Sequence, residues 1–257
     1  MFGDEGSDVS PLATRSALLI GVGGLGSPIV MSLVEAGVGT IGLVDDDEVE
    51  LHNLHRQILF GEDDVGRRKT VAATRAVASR DRRSVVRTRV RETRLVPANA
   101  LDLVSGYDVV LEGSDNFATK FLTADACAIA RIPVVHGAAI RWHGTALAVG
   151  PSGQPCYRCL FEDLPREYAP GCSEAGVFGP VVGIVGAVQA DLALAMLKGE
   201  RVAGTLVTFD GKVDRLRRRA PAPRIDCALC GSSPTLRTID ADRYSAVERA
   251  PALLPGS

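Results

Sequence analysis

Apolar residues fall into short runs separated by glycine, polar or charged residues. Ala17–Ile20 is an uncharged run of strand length, followed at once by Gly21-Val22-Gly23-Gly24-Leu25-Gly26. From Ser27-Pro28 to Ala36 the chain reads as an apolar helix. Pro28 suits its first turn, where the missing N–H costs nothing. Thr40–Val44 (TIGLV) is a second apolar strand, ending at Asp45. Strand, glycine turn, helix and strand span about 30 residues, the size of a βαβ crossover.

The pattern continues in the same style. Residues 67–80 (RRKTVAATRAVASR) have helical spacing with a basic outer face. Over 85–90 the side chains alternate, Val86, Thr88 and Val90 against Arg87, Arg89 and Arg91, as in a half-exposed strand. Residues 107–111 (YDVVL) form a buried strand, 117–131 a helix that begins after Asp115-Asn116, and 132–136 another strand. Residues 165–170, polar and flanked by proline, read as an exposed loop. Residues 176–197 begin with glycines and end as a helix, 206–209 form a last strand, and 217–224 (RRRAPAPR) read as a basic, proline-rich linker. Strands alternating with helices predict an α/β fold with a mostly parallel sheet. The expected organisation is a mobile N-terminus over 1–16, one domain over 17–245 and a tail over 246–257.

Composition narrows the class. The 257 residues are 46% hydrophobic and 23% charged, which excludes a disordered chain, a collagen and a coiled coil. The formal charge of −2 argues against a nucleic-acid or membrane-surface binder. Residues 80–94 hold seven arginines, but no aromatic residue interleaves for base stacking, so a solvated edge is expected. Residues 17–34 carry no charge over 18 positions, yet four glycines and a proline argue for a strand and a packed helix rather than a membrane span. Residues 1–10 are acidic and lack the apolar core of a signal peptide. A cytoplasmic protein is expected.

Several residue groups carry chemistry. Gly21, Gly23 and Gly26 form G-x-G-x-x-G after a strand, and Asp45 ends the next strand. Glycines let backbone approach a phosphate at a helix N-terminus, and the carboxylate can accept from ribose hydroxyls. This predicts a Rossmann-like, doubly wound nucleotide site without distinguishing NAD from ATP; glycines serving only helix–strand packing are the alternative. Asp45-Asp46-Asp47 precedes Asn53, Arg56, Gln57 and Lys69. Such cations suit a triphosphate better than a dinucleotide, although a surface charge cluster would look similar. Asp115 reads equally as a helix N-cap or a magnesium ligand. Cys156-x-x-Cys159 and Cys227-x-x-Cys230 are two pairs with the spacing of a closed, structural four-cysteine zinc site. Cys172, in a glycine-flanked segment, is a candidate nucleophile or an incidental thiol, whereas Cys127 sits in an apolar helix. The four histidines show no metal-ligand spacing.

The motifs GVGGLGS (21–27), VDDDEVELHNLHRQILF (44–60), VGRRK (65–69), SDN (114–116), CYRC (156–159), CSEAGVFGPVVGIVG (172–186) and CALCG (227–231) resemble those of the ThiF/MoeB/HesA adenylyltransferases, in order from about residue 17 to 245. The resemblance implies adenylation of the C-terminal glycine of a ubiquitin-like sulfur carrier of ThiS or MoaD type, using ATP and Mg²⁺. It places Gly24 against the nucleotide, Asp45 on the ribose, Asn53, Arg56 and Lys69 on the phosphates, and Asp115 on magnesium with Asn116 beside it. Asp47 and Gln57 fall within the same motifs. Cys172 matches a loop cysteine that in some members links covalently to the carrier. The zinc pairs are in register. A homodimer is implied, but the family's N-terminal arginine that reaches the partner's ATP has no counterpart, since residues 1–16 contain only Arg15. With no sulfurtransferase segment before Ser257, a separate sulfur donor such as a sulfurtransferase or desulfurase is expected. Adenylation of a peptide or other carboxylate, and a non-catalytic carrier-binding module, are the alternatives.

Overall fold

A computed structural model of the chain describes residues 10–82, 85–164 and 176–247. Five strands run parallel: β1 (Ser16–Ile20), β2 (Thr40–Val44), β3 (Arg87–Arg91), β4 (Val109–Glu112) and β5 (Val134–Ile140). β6 (His143–Val149), β7 (Leu206–Asp210) and β8 (Arg215–Arg219) extend the sheet antiparallel. The order across it is β3-β2-β1-β4-β5-β6-β7-β8. β1, β2 and β4 are apolar over most of their length because helices cover both faces, with Glu112 at the end of β4 the buried exception. Ala17 and Leu19 face α1 (Gly26–Glu35) and the long helix α6 (Gly179–Leu197), with α2 (Lys69–Arg80) packed alongside α1. Leu18 and Ile20 face α3 (Ala100–Val104) and α4 (Phe117–Ala130), against which α5 (Tyr157–Phe161) packs. This is the doubly wound arrangement expected, and the uncharged stretch 17–34 is indeed a strand followed by a packed helix. α6 is long and apolar enough to cross a membrane by length and composition, but here Val181, Val185, Ala190 and Ala193 are buried within the fold.

Four expectations change. Residues 10–15 are docked rather than free: Leu12 is buried in the core and Ser10 Oγ donates to the Ala36 carbonyl at 2.7 Å. β5 runs on to Ile140 and turns into β6, which the pattern did not announce. Residues 217–219, read as linker, belong to β8, where backbone pairing to β7 holds a strand with five exposed side chains. α3 and α5 are short and had no periodic signal. The loop reading at 165–170 lies outside the described residues.

Candidate functional site

The parallel strands end in a cleft where the winding reverses between β1 and β4, the usual position for a ligand in such sheets. Its floor is the glycine loop. Gly21 has φ +86°, and a Cβ there would lie 3.0 Å from the Gly113 carbonyl carbon. A Cβ on Gly26 would lie 2.4 Å from the Gly21 oxygen. The loop therefore folds tightly against the end of β4 and opens the N-terminus of α1. Asp45 ties this loop to β2: its Oδ2 accepts from the Val22 amide at 2.7 Å and its Oδ1 from the Asp47 amide at 2.9 Å. Burial raises the Asp45 pKa, with Lys69 opposing the rise.

The cleft is a small, open pocket at the carboxyl ends of the parallel strands. Gly21, Gly23, Asp45, Asp47, Lys69, Asp115 and Asn116 all line it. Lys69 is 6% exposed, and its Nζ lies 2.7 Å from Asp47 Oδ2. A second, smaller cavity is lined by Gly24, Arg56 and the apolar Val177 and Val182. The two share the turn Gly113-Ser114-Asp115, so Asp115 stands at their boundary.

The structure separates the two readings of Asp115. Asn116 is the N-cap of α4, its Oδ1 accepting from the Thr119 amide at 2.8 Å. Asp115 is exposed and, among the described residues, has no hydrogen-bond or ion-pair partner. A carboxylate so placed would suit a divalent cation, which would supply positive charge there. The carboxylates of Asp45, Asp46 and Asp47 also lie within 4.8 Å of one another.

Asn53 and Gln57 are buried and do not line either cavity. Asn53 Nδ2 donates to Glu50 at 2.8 Å, while among the described residues Asn53 Oδ1 and Gln57 Oε1 have no hydrogen-bond partner. Gly26 acts through packing. Thr93, Arg94 and Leu95, just after β3, form a wall that sequence reasoning missed. Arg94 Nε lies 3.5 Å from Asp46 Oδ2. The rule that ligands sit at the carboxyl ends of parallel strands would have pointed to them. Arg15 pairs with Asp108 at 3.2 Å where β1 begins, at the end of the sheet away from the cleft. Cys172 lies outside the described residues.

The four paired cysteines form a separate cluster. Cys156 Sγ lies 3.5 Å from Cys227 Sγ and 3.8 Å from Cys159 Sγ, and Cys159 Sγ lies 3.3 Å from Cys230 Sγ. A zinc tetrahedron with bonds of about 2.3 Å sets sulfurs about 3.8 Å apart, so the four thiols fit that ion. Without metal, burial pushes the Cys230 thiol up to about 12. Arg158, inside the Cys156–Cys159 turn, anchors the cluster to α4 through Asp125. Cys127 is fully buried, and burial raises its pKa, so it is an inert core thiol.

Comparison with known proteins adds a family. Residues 2–229 match the ThiF family. The adenylyltransferase and sulfurtransferase MOCS3 of Sus scrofa is 43% identical over 233 residues, covering 88% of this chain and 50% of the relative. The protein of that name from Dictyostelium discoideum is 37% identical over 230 residues, covering 88% and 54%. The chain thus spans about half the length of the curated relatives it matches. Among solved structures, Escherichia coli MccB with ATP aligns with a TM-score of 0.74 at 22% identity, covering 86% of this chain and 68% of that one, which is a likeness of fold. With the doubly wound sheet, the glycine loop and a match over most of its length, this chain belongs to the ThiF family.

Proposed function

We propose that the chain adenylates the C-terminal glycine carboxylate of a ubiquitin-like sulfur-carrier protein of ThiS or MoaD type, using ATP and Mg²⁺. One observation carries this reading: the glycine loop, Asp45, Lys69 and Asp115 share one cleft, which continues past the 113–115 turn into the cavity holding Gly24 and Arg56. In this reading the nucleoside lies along the glycine loop, with Asp45 accepting from its ribose. The carrier's terminus enters through the second cavity. There a Cβ on Gly24 would lie 2.7 Å from Val182, so the passage has little room to spare and suits glycines.

The chemistry needs no general base, because a terminal carboxylate is already ionised at neutral pH. A carboxylate oxygen attacks the α-phosphorus, and the bond from that phosphorus to the pyrophosphate oxygen breaks with its electron pair. Arg56 and Lys69 offset the charge on the phosphates, and the backbone of the glycine loop holds them in line. Magnesium bound at Asp115 would supply further charge neutralisation. The acyl adenylate is then open to a thiolate: attack by Cys172 on its carbonyl releases AMP and leaves a thioester, and an external persulfide is the other acceptor.

The names of the relatives join adenylyl and sulfur transfer, which supports a sulfur-carrier substrate and a sulfurtransferase or desulfurase as donor. The exposed Ile184 and Ala187 on α6 offer an apolar face for a homodimer. A reducing, cytoplasmic setting suits the free thiols.

ATP–pyrophosphate exchange tests the proposal. Exchange should require ATP, Mg²⁺ and a carrier ending in Gly-Gly. ATP binding without exchange on any such carrier would leave a binding module or a different carboxylate substrate, and tighter binding of NAD than ATP in a calorimeter would return the glycine motif to a dinucleotide role. Cys172→Ala should spare exchange and abolish any covalent carrier adduct seen by mass spectrometry.

A further inference from the structure

The 113–115 turn divides the two cavities, and a buried ionic cluster lies directly beneath it. Glu112, the last residue of β4, is 0% exposed. Its Oε1 accepts from the Ser114 amide at 2.8 Å and from the Ser114 hydroxyl at 2.5 Å. Its Oε2 accepts from Lys120 Nζ at 2.8 Å. Lys120, one turn into α4 and itself buried, also donates to the Gly137 carbonyl in β5. From the opposite face of the sheet, Gln189 of α6 donates to the Glu112 carbonyl at 2.9 Å and to the Val135 carbonyl at 3.2 Å. His136 Nδ1 is 3.7 Å from Glu112 Oε2, too far for a hydrogen bond.

Stability alone does not call for this arrangement. A buried carboxylate–ammonium pair recovers little more than its desolvation costs, and apolar residues of the same volume often serve as well. An apolar residue, however, cannot accept from both the amide and the hydroxyl of the turn. Glu112 does so while Lys120 holds its other oxygen, so one side chain ties the end of β4, the turn and the start of α4 together. On its far side the turn rests on the glycine loop, with the Ser114 nitrogen 3.0 Å from where a Cβ on Gly21 would lie.

We infer that Glu112 is a positioning residue for adenylation: it clamps the Ser114–Asp115 turn between the two cavities so that the Asp115 carboxylate is already placed for the metal–phosphate group. Lys120 is the counter-ion that keeps the clamp closed. The inference rests on the role given to Asp115 above, but the clamp itself can be tested without nucleotide.

Glu112→Asp keeps the charge for Lys120 and shortens the reach to Ser114 by one methylene; Ser114→Ala removes only the hydroxyl bond and cannot unfold the chain by leaving a buried charge. Hydrogen exchange of the full chain, without nucleotide, should show residues 113–116 exchanging about tenfold faster in Glu112→Asp and less so in Ser114→Ala, with β1 and α2 unchanged. Calorimetry should show ATP affinity without Mg²⁺ retained, and the gain on adding Mg²⁺ reduced about tenfold in Glu112→Asp. Unchanged exchange at the turn in both variants would overturn the clamp. A loss of ATP affinity that is equal with and without Mg²⁺ would reduce Glu112 to a structural role. If the wild type gains nothing from Mg²⁺, the role of Asp115 fails instead, and the exchange data still decide whether Glu112 holds the turn.

Discussion

Replacing Asp125 with asparagine should destabilise the whole chain, by an amount the geometry bounds. Asp125 lies on α4 with no exposure and takes both prongs of the Arg158 guanidinium, at 2.8 and 2.9 Å. The Tyr244 hydroxyl donates to the same carboxylate at 2.7 Å. Arg158 is 3% exposed; it also donates to the Glu162 carbonyl and to Asp163, each at 3.0 Å, and lies over the Phe121 ring. Burial disfavours the guanidinium charge, but Asp125 and then Asp163 outweigh it and raise the Arg158 pKa; a guanidinium does not deprotonate in proteins, so the arginine stays charged when Asp125 is neutralised. Breaking one side of a buried pair costs about 3–5 kcal/mol. Asp163 remains as a solvent-exposed partner, which places the expected loss near the lower end, about 3 kcal/mol. At about 2–4 °C per kcal/mol for a chain of this size, Tm should fall by about 6–12 °C. Circular dichroism melts of Asp125→Asn measure this. Because Arg158 sits between two of the clustered cysteines, bound zinc should also yield to chelator sooner. The double variant Asp125→Leu with Arg158→Met should recover most of the loss, since it removes both charges. A Tm for Asp125→Asn within about 2 °C of wild type would refute the reasoning, because it would mean that water already solvates the pair.

Three further outcomes follow from the same geometry. Cys227→Ala should lose zinc and more than about 4 kcal/mol of stability together, read by metal analysis and denaturant unfolding; stability kept without metal would separate the cluster from folding. Gly26→Ala drives a Cβ into the Gly21 carbonyl, so the loop must shift, and calorimetry should show ATP affinity weakened about tenfold or more for a stability cost of about 1–3 kcal/mol. Unaltered affinity would mean the loop does not grip the nucleotide. Burial holds the His136 pKa below its ordinary value of 6.5, with Glu112 opposing. The unfolded chain therefore binds the extra proton first, and stability present above pH 6.5 should be lost as pH falls toward the folded value, at up to about 1.4 kcal/mol per pH unit. Urea midpoints between pH 7.5 and 5 should show that slope, and His136→Asn should flatten it; an equal slope in the variant would assign it to other groups.

How much of this was legible in the sequence depended on which residues carry a pattern. β1, the glycine loop, α1 and β2 were readable because strands buried on both faces are apolar throughout and the loop needs glycine. The cysteine cluster was readable because spacing alone defines it. β6 was hidden because the turn before it contains no glycine: Arg141 itself takes the left-handed conformation, φ +51°. β8 was hidden because its five side chains are all exposed and backbone pairing to β7 is what holds it in the sheet. At Asp115-Asn116 either residue could cap the helix on sequence grounds, and only the fold assigns the cap to Asn116. The Glu112–Lys120 pair left no signal, because its partners come from four separate elements.

The two outermost strands share a property that bears on how copies of the chain meet. β3 carries Arg87, Arg89 and Arg91, and β8 carries Arg215, Arg217, Arg218 and Arg219. Among the described residues no strand pairs with the outer rim of either, so each rim offers amides and carbonyls on which another molecule's strand would be templated. Docking rim to rim would press guanidinium rows against each other, and like charges facing across a ladder are unfavourable. The arginines of β3, read in the sequence as a solvated edge, thus disfavour edge-to-edge growth in a chain whose overall charge is only −2.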